Sequence, residues 1–163
     1  MNSNPCILQV EDEDADINLI RFAFKRVGIN NPHVAVTDGQ MAVDYLSGEG
    51  DYADRKTHPL PSLVLLDLKL PKLGGMEVLA WIRQQPTLRR LVVIILSSSA
   101  QAGDLERAYE LGANSFIEKP SDLKRTLEIA QLLKGWWLCY NRFAPLEQAH
   151  PTRRQSSLSR RGK

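Results

Sequence analysis

Short apolar runs and amphipathic stretches alternate five times between residue 6 and about residue 138. Each apolar run is rich in Val, Ile and Leu, the composition of a strand buried on both faces. The predicted strands lie at about residues 6–10, 33–37, 62–67, 91–96 and 114–118. The alternation predicts βαβ units, and therefore an α/β fold with a central five-stranded parallel sheet and helices on both faces.

Apolar residues three or four positions apart mark one helix face in each stretch between the strands. The predicted helices cover about residues 14–27, 39–46, 76–85, 101–111 and 121–137. Gly28 and Gly112 end the first and the fourth helix, because glycine readily adopts the left-handed conformation that follows a helix. For the fifth helix we predict Ser121 as the N-cap residue.

Two segments depart from this alternation. Residues 47–61 form a polar connection that is longer than usual between a helix and a strand. Residues 135–146 are rich in aromatic side chains, for which we favour a dimer contact over folding back onto the same chain. We therefore predict a folded domain over residues 1–146, with 135–146 as its aromatic extension, and a disordered tail over 147–163.

The net charge of +2 hides an uneven distribution along the chain. The last thirteen residues hold five basic residues and no acid, whereas residues 1–150 hold 16 basic and 19 acidic residues, a net charge of −3. Five charges without aromatic side chains to stack on bases indicate a solvated tail, so we do not expect nucleic acid as a partner.

Two further observations bear on location. The longest apolar run, residues 91–96, is too short to span a membrane, and the first residues do not resemble a secretory signal. Cys6 lies in a predicted strand and Cys139 near a helix end, which argues against a disulfide. We expect a reduced, cytoplasmic protein without a membrane partner.

Charged and hydroxyl side chains lie at the carboxyl ends of four of the predicted strands. Glu11 and Asp12 come after the first strand, Asp67 ends the third, Ser97 comes after the fourth and Lys119 after the fifth. The carboxyl ends of parallel strands meet at one edge of a sheet, which is where open α/β folds build their sites. We therefore expect these side chains to lie close together.

Three crowded carboxylates require a cation, and oxygen ligands select Mg²⁺, for which Mn²⁺ is a possible substitute. Asp12 and Asp67 suit direct ligation, with Glu11 acting through water. Asp67, on the central strand, is the best placed nucleophile for an in-line phosphoryl transfer, and Lys119 can neutralise charge on the phosphoryl oxygens. The pattern predicts a metal-assisted phosphoryl-accepting pocket.

The chain resembles the receiver domains of two-component response regulators, the chemotaxis-Y-like family. The residues that carry the resemblance are Val10-Glu11-Asp12, Leu66 to Pro71 with Gly74-Gly75, Leu96 to Ser99, and Phe116 to Pro120. The resemblance implies a flavodoxin-like (βα)₅ fold and phosphoryl transfer from a histidine kinase to Asp67. It also implies specific roles: Ser97 as the hydroxyl switch, Phe116 as the switch aromatic, the backbone carbonyl of Lys69 as a metal ligand, and a possible cis peptide bond before Pro120.

Within this family the chain is most similar to the stand-alone regulators that partner bacterial and cyanobacterial phytochromes. The features that carry this narrower resemblance are Ala15-Asp16-Ile17, Gly50 to Ala53, Leu68 to Lys72 and Trp136-Trp137-Leu138. It implies a phytochrome-type kinase as partner. It also implies a homodimer formed through the fourth helix, fifth strand and fifth helix together with residues 135–146.

Two alternative functions remain open at this point. A haloacid-dehalogenase-type phosphatase also uses a strand-end aspartate and Mg²⁺, but it needs a second acid where this chain has Lys69. A receiver that binds partners without being phosphorylated is the other. At single positions, Ser97 to Ser99 also fit a plain polar turn, Phe116 equally suits the core, and Glu11-Asp12 also suit a helix start.

Overall fold

The predicted alternation of strands and helices is present in a computed structural model, which describes residues 4–99 and 101–146. The strands are β1 Ile7–Val10, β2 His33–Val36, β3 Leu63–Leu66, β4 Val92–Ser97 and β5 Ser115–Glu118. The helices are α1 Asp14–Val27, α2 Gly39–Ser47, α3 Gly75–Gln84, α4 Ala102–Glu110 and α5 Leu123–Leu133. The α/β fold expected from the sequence is confirmed.

All five strands are parallel and pair in the order β2-β1-β3-β4-β5. Every strand therefore ends at the same edge of the sheet. The connection after β1 leads to β2 on one side, whereas the connection after β3 leads to β4 on the other side. The chain therefore reverses direction between β1 and β3, and such a switch point is where doubly wound folds bind ligands. The residues that follow β1 and β3 consequently face each other at the centre of the edge.

Alternate strand residues pack into two hydrophobic cores, one on each face of the sheet. The first core joins Leu8, Val10, Val64 and Leu66 to helices α2, α3 and α4. The second core joins Ile7, Leu63, Leu65 and Ile94 to α1 and α5. Because β1 and β3 are fully buried on both faces, their ends cannot shift without disturbing both cores.

Helix α5 begins one residue later than predicted, since Asp122 rather than Ser121 is its N-cap residue. The Asp122 carboxylate accepts a hydrogen bond from the backbone N–H of Arg125 at 2.8 Å. An aspartate fits this position as well as a serine does, and its charge also favours the positive end of the helix dipole.

The aromatic extension partly folds back onto its own chain, against our preference for a dimer contact. After α5 the chain continues as a π-helical segment, Lys134–Tyr140. Trp137, Leu138 and Phe143 pack against the second core, whereas Trp136 and Tyr140 remain 64% and 81% exposed. The segment therefore covers the domain with one side and presents aromatic side chains to solvent with the other.

The long connection between α2 and β3 is ordered by Arg55. Its guanidinium group donates hydrogen bonds to the backbone oxygens of Tyr45 and Leu46 at 2.7 and 2.8 Å, which satisfies carbonyls at the end of α2. The rings of Tyr52 and His58 pack against Tyr45.

No helix within the described ranges is long and apolar enough to cross a membrane. The predicted basic tail, 147–163, lies outside those ranges.

Candidate functional site

Two carboxylates are fixed where β1 and β3 end. The backbone N–H of Glu11 donates to the carbonyl of Val36 at 3.0 Å, and that of Asp67 to the carbonyl of Val10 at 3.1 Å. These bonds continue the sheet by one residue on each strand. Glu11 and Asp67 are only 2% and 5% exposed, so two acids are held in a poorly solvated place.

Lys119 brings three carboxylates together around its ammonium group. Its Nζ lies 2.6 Å from Glu11 Oε2, 2.8 Å from Asp16 Oδ2 and 2.9 Å from Asp67 Oδ2. Burial alone would lower the pKa of Lys119, but the bonds to the three acids outweigh burial and raise it above its ordinary value. The lysine is therefore charged at neutral pH and partly balances the acids.

Burial raises the pKa of the Glu11 carboxyl above its ordinary value, and the hydrogen bond from Lys119 opposes this rise. Asp12, the fourth acid of the group, is exposed. One ammonium group facing four carboxylates leaves the pocket negatively charged. Such a pocket attracts a cation.

Glu11, Asp12 and Asp67 together fit a divalent metal ion. Each offers one carboxylate oxygen, and the three oxygens lie within 4.8 Å of one another. Hard oxygen ligands in an open arrangement are what Mg²⁺ and Mn²⁺ take. The backbone N–H of Lys69 lies 3.4 Å from Asp67 Oδ1, while ligation by the Lys69 carbonyl stays a prediction.

The turn after Asp67 depends on a close approach of α3. The Leu68 N–H donates to Asp67 Oδ1 at 2.7 Å, and the Gly75 N–H donates to the Leu68 carbonyl at 3.0 Å. A Cβ atom on Gly75 would lie only 2.1 Å from the backbone oxygen of Asp67. Glycine at position 75 is therefore required for the observed position of Asp67.

Ser97 is the last residue of β4 and is fully buried, rather than part of an exposed polar turn. Its Oγ accepts a hydrogen bond from the Ser99 N–H at 3.2 Å, and the Ser99 hydroxyl in turn donates to Asp104 in the first turn of α4. The backbone oxygen of Ser97 accepts from the Lys119 N–H at 2.9 Å. A chain of hydrogen bonds thus runs from the predicted switch serine to α4.

Phe116 is partly buried and packs against the first core. Its backbone N–H donates to the hydroxyl of Tyr109 on α4 at 3.2 Å. The peptide bond between Lys119 and Pro120 is trans, because the described residues include no cis peptide bond. This corrects the cis bond that the resemblance implied, and trans is the lower-energy form by about 0.5–1 kcal/mol before proline.

Our sequence reasoning did not assign a site role to Asp16, Gly75, Ser99 or Asp104. The sequence could have indicated Asp16, because the first turn of α1 begins at the same edge of the sheet as Asp12. The contacts of Gly75 and of the Ser99–Asp104 pair depend on how helices approach the sheet, for which the sequence has no local signal.

Comparisons with known proteins are consistent with this geometry. The family model described as the response regulator receiver domain matches residues 7–131. Response regulator Rcp1 of Synechocystis is 38% identical over 138 residues, covering 83% of this chain and 92% of that protein. The probable methanogenesis regulatory protein FilR2 of Methanothrix harundinacea is 42% identical over 142 residues, covering 83% and 85%.

Solved structures that resemble this chain in both fold and sequence include two phytochrome-related or metal-bound response regulators. The phosphorylated cyanobacterial phytochrome response regulator RcpA superposes with a TM-score of 0.79 at 39% identity, covering 85% of this chain and 97% of that one. The Mn²⁺-bound form of response regulator Rcp1 superposes with a TM-score of 0.78 at 36% identity, covering 86% and 99%.

Proposed function

The chain belongs to the response regulator receiver domain family, and we propose that it is a response regulator that accepts a phosphoryl group on Asp67. The observation that carries this proposal is the grouping of Glu11, Asp12, Asp67 and Lys119 at one edge of the sheet. Its domain, on this proposal, extends over residues 1–146. The family consists of signalling domains rather than conventional enzymes.

Glu11, Asp12 and Asp67, together with the Lys69 carbonyl, would hold Mg²⁺, or Mn²⁺ in its place. When bound, the ion neutralises negative charge that the acids and a phosphoryl group would otherwise bring together. The Mn²⁺ in the related Rcp1 structure supports a divalent ion here.

The transfer itself makes one bond and breaks one. A carboxylate oxygen of Asp67 bonds to the phosphorus of a phosphohistidine while the bond from phosphorus to the histidine nitrogen breaks, and that nitrogen keeps the electron pair. Lys119 already lies 2.9 Å from Asp67 Oδ2, so its ammonium can pair with a phosphoryl oxygen after a small movement. The buried site limits the access of competing water.

The new phosphoryl group, with a charge of about −1.5 to −2, then changes the balance between two conformations of the domain. Ser97 turns its hydroxyl toward the phosphoryl oxygens and gives up its bond to the Ser99 N–H. Loss of that bond loosens the Ser99–Asp104 link to α4, and Phe116 turns inward. The face formed by α4, β5 and α5 rearranges as a result.

The phosphoryl donor on this proposal is a phytochrome-type histidine kinase in the cytoplasm. The names of the related proteins support it, because RcpA is a phytochrome response regulator and resembles this chain over 85% of its length. FilR2, which is named for methanogenesis regulation, is equally similar. The kinase class is therefore the part of the proposal that phosphotransfer between purified proteins must test.

We further propose a homodimer through the α4–β5–α5 face and residues 135–146. Large apolar side chains are exposed on α4, on α5 and in the extension: Leu105, Tyr109, Leu123, Leu132, Trp136 and Tyr140. An apolar groove also lies between α5 and the π-helical segment, lined by Ile117, Leu132 and Trp136. Burial of such a patch in a partner copy removes apolar surface from water.

Exposure to acetyl phosphate and Mg²⁺ tests the acceptor role. We expect wild type to gain one base-labile phosphoryl group and Asp67→Asn to gain none. Omission of Mg²⁺ should abolish labelling of the wild type. Labelling of Asp67→Asn would refute the assignment, and an unlabelled but folded wild type would favour a receiver that acts without phosphorylation.

Sedimentation analysis tests the dimer. Trp136→Ser should shift the wild-type dimer toward monomer, since Trp136 lies in the proposed interface and outside both cores. Phe22→Ser, on α1, likewise removes an exposed aromatic side chain outside both cores, and it should leave the assembly state unchanged. A monomeric wild type at all concentrations would contradict the interface.

A further inference from the structure

A small cavity of about 20 Å³ lies next to Lys119, between the sheet and helices α1 and α5. Its polar lining consists of Gln9, Glu11, Asp16, Lys119 and Thr126. The cavity is therefore adjacent to the three-carboxylate arrangement around Lys119.

Gln9 is an unusual residue for its position. It lies on β1 beside Ile7 and Leu8 in the middle of the protein, and it is only 2% exposed. Its Oε1 lies 2.9 Å from the ring nitrogen Nε2 of His33. Burial, and secondarily nearby Arg21, lowers the pKa of His33 to about 4, so the ring is neutral at pH 7 and can donate to Oε1.

The other polar atom of this side chain, Gln9 Nε2, has no hydrogen-bond partner among residues 4–99 and 101–146. A buried donor without an acceptor is costly and rare in folded proteins. Because Gln9 lines the cavity, an acceptor located there would satisfy the amide.

The chemistry of the lining selects the ligand. A cavity of roughly 10–15 Å³ holds one water molecule. This cavity, of about 20 Å³, therefore admits a single water and little else. An amide donor and the Lys119 ammonium disfavour a cation, whereas the carboxylates of Glu11 and Asp16 disfavour an anion. Water alone can accept from the amide and donate to an acid.

We propose that this cavity binds one structural water, and that Gln9 acts through it as a positioning residue for Lys119. The water accepts an N–H from Gln9 and donates to the carboxylates or to the Thr126 hydroxyl. The water hydrogen-bonds to the carboxylates of Glu11 and Asp16, which therefore bind the Lys119 ammonium less tightly. Lys119 can then move more easily toward a phosphoryl group on Asp67. The last step rests on the proposed function.

The water contact is measured on the unphosphorylated wild type, without any variant. We expect an NMR cross-peak between water and the side-chain amide protons of Gln9. The positioning role is measured with Gln9→Met, which keeps the length of the side chain and removes the donor together with the oxygen that pairs with His33. His33→Phe removes that pairing and leaves the amide donor in place, so it separates the two effects. Ile7→Met is the matched control, since Ile7 is on the same face of β1 and outside the cavity.

In Gln9→Met the initial rate of labelling by acetyl phosphate should fall roughly three- to tenfold. This loss is no larger than the loss usually seen when a group that orients a metal ligand is removed. The Mg²⁺ dissociation constant from calorimetry should change less than about twofold, because the metal-ligating oxygens are unaltered. Ile7→Met should match the wild type in both measurements.

Three results would decide against parts of this picture. A wild-type amide without a water contact, together with a higher melting temperature of Gln9→Met, would overturn the water site. A water contact with an unchanged labelling rate in Gln9→Met would overturn the positioning role. An unlabelled wild type would refute phosphoryl acceptance, and the water contact would still stand or fall independently.

Discussion

The central strands of the sheet and its β5 edge differ in how firmly they are packed. Every residue of β1, β3 and β4 is buried. Every residue of β5, by contrast, reaches solvent in part, and Ala108 is the buried residue of its neighbour α4. We call β1, β3 and β4 the firm side of the sheet, and β5 with α4 the loose side. Glu11 and Asp67 follow strands of the firm side, whereas Phe116 lies on the loose side.

This difference separates two tasks. A nucleophile needs a fixed position, which the fully packed strands before Glu11 and Asp67 provide. A switching surface must change conformation at low cost, and elements with few buried contacts do so most easily. Lys119 joins the two sides, because it follows β5 and pairs with acids on β1, α1 and β3.

Lys119→Met should have the largest effect on stability. It leaves the buried carboxylates of Glu11 and Asp67 without their cation, and breaking a buried pair costs about 3–5 kcal/mol. We expect a loss near the lower end at pH 7, as Lys119 keeps some contact with solvent, with partial recovery on addition of Mg²⁺. Urea unfolding measures it, and the exposed Lys69→Met should stay within about 0.5 kcal/mol of wild type.

The same variant should change the pH dependence of unfolding. The raised pKa of Lys119 contributes stability that is complete below its ordinary value of 10.5 and is lost as pH rises through the raised value. Wild type should therefore lose this stability in alkali, and Lys119→Met should not. For Glu11, whose pKa is raised above 4.5, stability falls as pH rises through the raised value, so acidification should partly rescue Lys119→Met. Equal profiles for both proteins would contradict the pairing.

An intermediate effect is expected where α3 touches the firm side. Gly75→Ala places a methyl group 2.1 Å from the Asp67 carbonyl, and overpacking of this kind costs about 1–3 kcal/mol. Gly103→Ala makes the same change on α4, where nothing lies within 4 Å, and should gain about 0.5–1 kcal/mol. Thermal unfolding measures the change in stability of both variants. A change of the same sign in Gly75→Ala and Gly103→Ala would contradict the proposed contrast between the two sides.

The smallest effect on stability is expected on the loose side, from Asp104→Asn. It weakens the bond from the Ser99 hydroxyl and should cost no more than about 1 kcal/mol overall. Amide hydrogen exchange should nevertheless become faster in α4 and stay unchanged in β3. Glu106→Gln, an exposed acid on the same helix, is the control, and faster exchange in both variants would exclude a specific role for Asp104.

The same contrast explains how much the sequence could predict. The firm side is encoded locally, because an apolar run followed by an acid identifies both the strand and the site residue, as at Asp67. The helix ends were less predictable. Ser121 and Asp122 are both good N-cap residues, and the backbone conformation of the folded chain determines which of them caps α5. The close approach of Gly75 and the folding back of Trp137 depend on contacts between distant segments, which no local pattern records.

The most direct test is to locate the phosphoryl group chemically. Borohydride reduces an aspartyl phosphate to homoserine, and tandem mass spectrometry identifies the converted position after phosphorylation in the presence of Mg²⁺. We expect conversion at position 67 and at no other aspartate. Conversion at Asp12 or Asp16 instead, or none in a folded and Mg²⁺-loaded protein, would contradict it.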